Sequence, residues 1–361
     1  VHNSFAKQPR QPKNKPKMTH NHRSPTFGHI MWLVAFGMII YTAGCTSKKE
    51  EPQKPESSIE KPAKKPVVIG FVQPVDDETL DEARRGFIDA LKARGYSDSA
   101  GTAKIIYQNA QNDIPALNQI IDKFIADKVT CIAANATLPM MTALKKTKEI
   151  PIFMMVGPAP TINDLTIKQG ENVKAPANLV GVYETLAYID SSIALIRRAF
   201  PNAKTIGVIF NSAEPNSTNA MGELRKKCKQ NNLKLVERSI TSTAETQQAV
   251  QAILSKNPDV FFALPDNLVF ASFEVILKET SEKKVPIVTS EIGLVKRGAT
   301  IAYGADFYMW GYQAGEAAAE YFDTGDLVAV GLRPVKVRKL VHNEKMAKEL
   351  GFTPPPESQP M

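Results

Sequence analysis

Two short loops carry most of the side chains able to do chemistry. After the apolar run KTIGVIF stand Asn211, Ser212, Glu214, Asn216 and Ser217, and after DVFFALP stand Asp266 and Asn267. Amides, hydroxyls and carboxylates at a strand-to-helix junction can hold a small polar molecule. Free N–H groups and the helix dipole favour a ligand carboxylate there, and an acid favours a ligand ammonium through a charge-assisted hydrogen bond. The same residues also cap helices, Ser212 or Ser217 in the first loop and Asp266 in the second. Residue types alone leave both uses open. Glu291 after VPIVTS and Asp306 in YGADF add later acids. An amino group needs only one or two acids, so at least one of these is structural. From the first half of the chain, Gln73 and the loop after it, Asn135 and Thr137 after a third strand, and Gly157 after a fourth are expected to face the same space, because ligands of open α/β sheets sit beyond the carboxyl ends of the strands.

Enzyme chemistry finds no comparable set. After Cys45 the only histidine is His342, so neither a histidine-based triad nor a His/Cys zinc spacing can be assembled. No GxxxxGK[ST] is present, and no GxGxxG follows a strand. The acids between Asp76 and Glu82 are better placed as helix N-terminal charges than as an acid–base pair. No catalytic residue, no metal site and no cofactor are expected.

The elements that must position these loops alternate between short apolar runs and longer amphipathic ones, the pattern of parallel strands joined by helices. VVIGFVQ, AKIIYQNA, VTCIAANA and PIFMMV read as strands. Between them lie helices such as Leu80–Arg94, with Ala83, Phe87, Ala90 and Leu91 on one face. A Gly-, Pro- and Asn-containing connection around 158–178 precedes a second series. Its strands are KTIGVIFN, LKLVERSI, DVFFALP and VPIVTS, with a continuous helix expected over Val269–Thr280. Two series of similar length imply two doubly wound lobes with a cleft between them. The helix Met309–Phe322 and the strand-like VKVRKLVHN are too few for a third lobe and are expected to return to the first two.

The net charge of +8 raises the question of a nucleic-acid partner, and the distribution of charge answers it. Residues 1–65 hold 12 of the 45 basic and 4 of the 37 acidic residues, which leaves 33 of each in 66–361. The body is formally neutral, so nucleic acid is not an expected partner. The basic excess flanks IMWLVAFGMIIY, a stretch too short for a span of about 20 residues, and TAGC follows it. Residues 1–45 therefore read as a signal peptide ending in a lipobox, with the start at Met18 or Met31 and Cys45 as the lipidated residue. Residues 46–66, rich in Lys, Glu and Pro, read as a disordered tether. Cys131 and Cys228 read as small buried hydrophobes, one in each lobe.

Five stretches, LDEARRGFIDALKARGY, NAQNDIPALNQIIDKFIADKV, NAKTIGVIFNSAEPNS, PDNLV and VKRGATIAYGADFYMWGYQAGEAAA, together resemble the ABC-transporter substrate-binding lipoprotein family whose characterised members bind tryptophan or phenylalanine. The resemblance runs from about Val67 to Phe352. It implies a type I periplasmic-binding-protein fold, two Rossmann-like lobes joined by a three-crossover hinge with the ligand at that hinge. The expected lobes are 67–180 plus 305–327, and 181–304 plus 328–361. Tyr183 and Glu184 then fall at the first crossover, where many relatives have Ser-Asp. The family's His-Pro before the Leu-Asp-x-Ala-Arg run is replaced here by Asp77-Glu78-Thr79, which unsettles the first-lobe contacts. The implied protein is an extracytoplasmic, lipid-anchored monomer that delivers an amino-acid-like ligand, an aromatic one favoured, to an ABC permease and its ATPase. The alternative is a sensing module for a membrane receptor.

Overall fold

Four of the six strands of the first sheet come from the first half of the chain. In order these are β1 (Val67–Gln73), β2 (Ala103–Asn109), β3 (Cys131–Asn135) and β4 (Ile152–Met155), joined by helices α1 (Glu78–Ala93), α2 (Ile114–Ala126) and α3 (Thr137–Lys146). The structure, a computed structural model, describes residues 64–160, 167–169 and 172–361. The expected signal peptide, the lipobox at Cys45 and nearly all of the tether lie outside the described residues. The tether's last part is held: Lys64 pairs with Asp323 at 2.6 Å and lies 3.7 Å over the Tyr96 ring.

The connection around 158–178 contains a small antiparallel pair, β5 (Ile167–Gln169) with β6 (Asn172–Lys174), that its composition does not announce. Next comes β7 (Leu179–Tyr183), parallel to β4. The chain then leaves for the second lobe: α4 (Ala187–Ala199), β8 (Thr205–Asn211), α5 (Pro215–Gln230), β9 (Lys234–Ile240), α6 (Thr246–Leu254) and β10 (Val260–Ala263). The helix expected over Val269–Thr280 is two helices, α7 (Asn267–Ala271) and α8 (Phe273–Glu282). They break at Ser272, whose hydroxyl donates to the Leu268 carbonyl at 2.6 Å and accepts from Thr246 at 3.0 Å. After β11 (Ile287–Glu291) and α9 (Gly293–Lys296) comes β12 (Ile301–Ala305), an unanticipated strand because IAYGA holds two alanines and a glycine.

Helix α10 (Phe307–Thr324) returns to the first lobe and packs along α1. The short α11 (Leu327–Val330) leads to β13 (Leu332–Pro334), which pairs with β7. Then β14 (Arg338–His342) pairs antiparallel with β12 in the second sheet, followed by α12 (Glu344–Leu350) and β15 (Gln359–Pro360). The sheets are six- and seven-stranded, in the orders β13-β7-β4-β3-β1-β2 and β15-β14-β12-β11-β10-β8-β9. The chain therefore crosses three times, after β7, after β12 and after β13.

These pairings move two of the expected lobe boundaries. The first lobe keeps β7 through Tyr183 rather than ending at 180, and it takes back 328–334, because β13 finds its ladder partner in β7. Cys131 and Cys228 are both buried free thiols, one in each lobe. Among the described residues no helix is long and apolar enough to cross a membrane.

Candidate ligand-binding site

The crossovers are laced side by side. Val335 N–H donates to the Tyr183 carbonyl at 2.9 Å, and Asp306 N–H to the Val337 carbonyl at 3.0 Å. Arg338, just past the third crossing, forks onto the Glu184 carboxylate with one contact at 2.6 Å. Burial pushes Glu184 upward from the usual carboxylate range, and Arg338 opposes that shift.

Against this hinge the lobes enclose a cavity of ≈ 70 Å³. A single water takes about 10–15 Å³ on this scale, so the space suits a small organic molecule. Its first-lobe wall is the start of α3 and the loop after β4, with Ala136, Thr137, Gly157 and Pro158. No side chain caps α3. Facing it are Asn216 from the first turn of α5, Pro265 to Asn267 after β10, and Ser290 from β11. Phe270, Phe307 and Trp310 form an edge-to-face series with centroids 6.3 and 5.5 Å apart. Trp310 also donates its indole N–H to the Val182 carbonyl at 2.9 Å, so the aromatic wall is pinned to the first crossover.

Of the residues expected at a site, Thr137, Gly157, Glu184, Asn216, Asp266 and Asn267 line this cavity. The others stand elsewhere. Gln73 is buried at the end of β1, donating to the Val75 carbonyl and to Asp81. Asn135 donates to the Leu80 carbonyl at 2.9 Å. Tyr183, which at the first crossover could either stack on a ligand ring or simply line the hinge, packs on the first lobe's own core. Ser212 is exposed, whereas Asn211, Glu214 and Ser217 are buried behind the cavity wall.

Asp266 takes the capping role left open above. One oxygen accepts from the N–H groups of Leu268 and Val269, and the other accepts from Asn211 N–H and the Ser217 hydroxyl, both at 2.6 Å. Four donors already occupy the carboxylate. Asn211, placed by sequence in the ligand loop, serves the same staple.

Glu291 and Asp306 open instead onto a second, more polar cavity of ≈ 320 Å³, bordered by Glu78, Thr79, Arg297 and Lys339. Asp306 caps α10 and pairs with Lys339 at 2.6 Å. Glu291 accepts from Gly293 and Leu294 N–H groups, each at 2.7 Å, and from the Thr79 hydroxyl at 3.4 Å. Burial pushes its pKa up to about 7 against those donors. A raised acid adds stability that is complete below the unfolded value near 4.5 and is lost as pH rises through about 7. Urea titrations across that window are expected to show this loss in the wild type and a flatter profile in Glu291→Gln; parallel profiles would refute it.

The replaced loop Asp77-Glu78-Thr79 does not reach the first cavity. Asp77 Oδ1 caps α1 through Thr79 and Leu80 N–H, while its Oδ2 receives Arg297 from the other lobe at 2.7 Å. What looked like an altered ligand contact is a contact between lobes.

Sequence reasoning missed Tyr188, Phe270, Ser290, Phe307 and Trp310, all lining the cavity. Apolar residues at helical spacing look alike whether they fill a core or a cleft. The one available signal was the density of aromatics in FYMWGY at a crossover.

The sequence profile described as ABC transporter substrate binding protein matches residues 68–357. A protein of Clostridioides difficile named "Tyrosine-binding protein" is 36% identical over 288 residues, covering 80% of this chain and 82% of that one. Among solved structures, a conserved domain protein from Vibrio cholerae superposes with a TM-score of 0.75 at 28% identity, over 82% of this chain and 99% of the other. A ligand-free, open substrate-binding protein with adhesive properties from Clostridium difficile superposes with a TM-score of 0.61 at 30% identity, with the same coverage.

Proposed function

Because this chain belongs to the ABC transporter substrate-binding protein family, we propose that it captures one aromatic amino acid between its lobes and presents it to a permease and ATPase. The fold is that of a type I periplasmic binding protein, and the family is one of binding proteins rather than enzymes. Lipid on Cys45 and a spacer from 46 to 66 complete the proposal, holding the protein on the extracytoplasmic side of a membrane.

Two buried polar atoms at the cavity carry this reading: Asn216 Oδ1 and Ser290 Oγ have no hydrogen-bond partner. Leaving such atoms unpaired costs about 1–3 kcal/mol each, a cost that a polar ligand removes. Opposite them, the uncapped α3 and the Thr137 hydroxyl suit a carboxylate. The ring series Phe270, Phe307 and Trp310 suits an aromatic side chain. Burying such a ring covers roughly 150–250 Å², worth about 4–6 kcal/mol, or about half to three quarters of the ~8 kcal/mol of a micromolar complex. The name of the Clostridioides difficile relative points the same way.

Calorimetry of the soluble part with L-tyrosine, L-tryptophan and L-phenylalanine, against L-alanine and L-leucine, tests the proposal. Dissociation constants near or below about 1 μM are expected for at least one aromatic amino acid. Absence of heat for all three would refute it.

A further inference from the structure

A polar cluster centred on Glu214 lies behind the second-lobe wall and reaches the cavity through Asn216 and Asn267. Glu214 is fully buried there at the N-cap position of α5, yet it caps nothing. All of its partners are donors. Asn211 Nδ2 reaches Oε1 at 2.9 Å, and Oε2 receives Asn267 Nδ2 at 3.0 Å, Asn216 Nδ2 at 3.3 Å and Asn267 N–H at 3.4 Å. Asn216 Nδ2 also lies 3.4 Å from the Ser217 hydroxyl and 3.5 Å from the Pro265 carbonyl. The amide nitrogen of Asn216 is thereby committed to the cluster. Its oxygen is left over, buried and unpartnered, on a residue that lines the cavity.

An asparagine free to turn can offer a ligand either an acceptor or a donor. A carboxylate behind it removes that freedom, because Asn216 can satisfy Glu214 only with its nitrogen. We propose that Glu214 is the positioning residue that makes the cleft selective for an amine-bearing ligand, by fixing Asn216 with its carbonyl oxygen toward the bound molecule. The inference rests on the amino-acid reading above and names the group that decides amine against no amine.

Electrostatics agrees with the geometry. Burial and the neighbouring Asp266 carboxylate push the Glu214 pKa up to about 8, while the surrounding amides oppose the shift. The groups around it are Asn211 from β8, Asn216 and Ser217 from α5, and Asp266 and Asn267 at the start of α7. No Lys or Arg pairs with either acid among the described residues. The missing cation is one that a ligand ammonium supplies, so binding stabilises the ionised acid and releases a proton below about pH 8.

The experiment compares wild type with Glu214→Gln, and with Glu214→Asp should the first variant fail to fold. Ligands are L-tyrosine and its des-amino analogue 3-(4-hydroxyphenyl)propanoate. Glu214→Gln is expected to weaken L-tyrosine by at least about tenfold, the scale of one lost charge-assisted bond, and to leave the analogue's affinity nearly unchanged. L-tyrosine binding to wild type is expected to tighten as pH rises toward 8 and to lose that slope in the variant. Equal weakening of both ligands would mean a structural role alone and would overturn the inference. A ligand-free measurement separates it from the amino-acid reading: the side-chain amide NMR signals of Asn216 and Asn267 should titrate together near pH 8 in wild type and stay still in Glu214→Gln. If they do not titrate, the inference fails even where L-tyrosine binds. If they titrate and no amino acid binds, only the amino-acid reading fails.

Discussion

The melting temperature is expected to fall by roughly 5–10 °C when Gly311 is replaced by alanine, for an overpacking cost of about 3 kcal/mol. Gly311 lies on α10 where that helix crosses α1. A Cβ built there would sit 1.8 Å from the Ala83 carbonyl oxygen, and one on Gly86 would sit 1.9 Å from the Tyr308 carbonyl oxygen. Both obstacles are main chain, so no rotamer change relieves them. The two helices must move apart, and with them the packing of Phe87, Ala314 and Ala318 in the first lobe's core. Substitution of glycine by alanine inside a helix ordinarily gains up to about 1 kcal/mol. Gly222 on α5 has nothing within 4 Å of its would-be Cβ and provides the control. Thermal melts followed by circular dichroism should move in opposite directions for Gly311→Ala and Gly222→Ala. A rise for both would show that the α1–α10 contact has slack.

Ligand affinity is expected to drop by about tenfold to a hundredfold in Arg297→Gln, with no loss of the fold. Arg297 belongs to the second lobe and is held there by Glu274 at 3.0 Å and by the Phe270 carbonyl at 2.8 Å. Its remaining nitrogen crosses to Asp77, whose side chain is 2% exposed against 14% for Arg297. Lys296 adds a looser contact to Glu82 at 3.4 Å. Breaking a buried pair by deleting one partner costs about 3–5 kcal/mol. Asp77 keeps its capping bonds, so about 1.4–2.8 kcal/mol is the reasonable share. That cost falls on the closed arrangement alone, because lobes that have parted have already lost the bond. Apparent affinity scales with the fraction of molecules able to close. Calorimetry with the ligand and small-angle scattering without it provide the measurement. An unchanged radius of gyration together with unchanged affinity would remove Arg297 from the closing equilibrium.

Much of this architecture is legible in the sequence, and the parts that are not have identifiable causes. Apolar runs such as VVIGFVQ and KTIGVIF are strands buried on both faces, and Ala83, Phe87, Ala90 and Leu91 are fully buried on α1, as helical spacing requires. β13 is three residues long, and its place is decided by β7 rather than by its own composition. Strand alternation explains why two of the expected residues do not line the first cavity. Glu184 lines the cleft, so its neighbour Tyr183 turns to the opposite side. Ser290 lines the cleft, so Glu291 turns toward the second cavity. A strand-end loop can be located from sequence, but which of two adjacent residues faces inward depends on register. Asp77 and Arg297 show a second limit: nothing local in either residue announces a partner in the other lobe.

The chain's return through α10 and β13 also sets an order of assembly. Strands β8 to β12 form one uninterrupted stretch, so the second lobe can gather most of its sheet as soon as residue 305 has been synthesised. The first lobe begins earlier in the chain but must wait for residues 307–334 to supply the helix against α1 and the strand beside β7. Closing so long a loop delays its core, since contacts distant in sequence form slowly. The lobe that is begun first therefore cannot close its core until most of the other lobe's sheet has been made, and until then it exposes the apolar face of α1 to whatever holds the nascent chain.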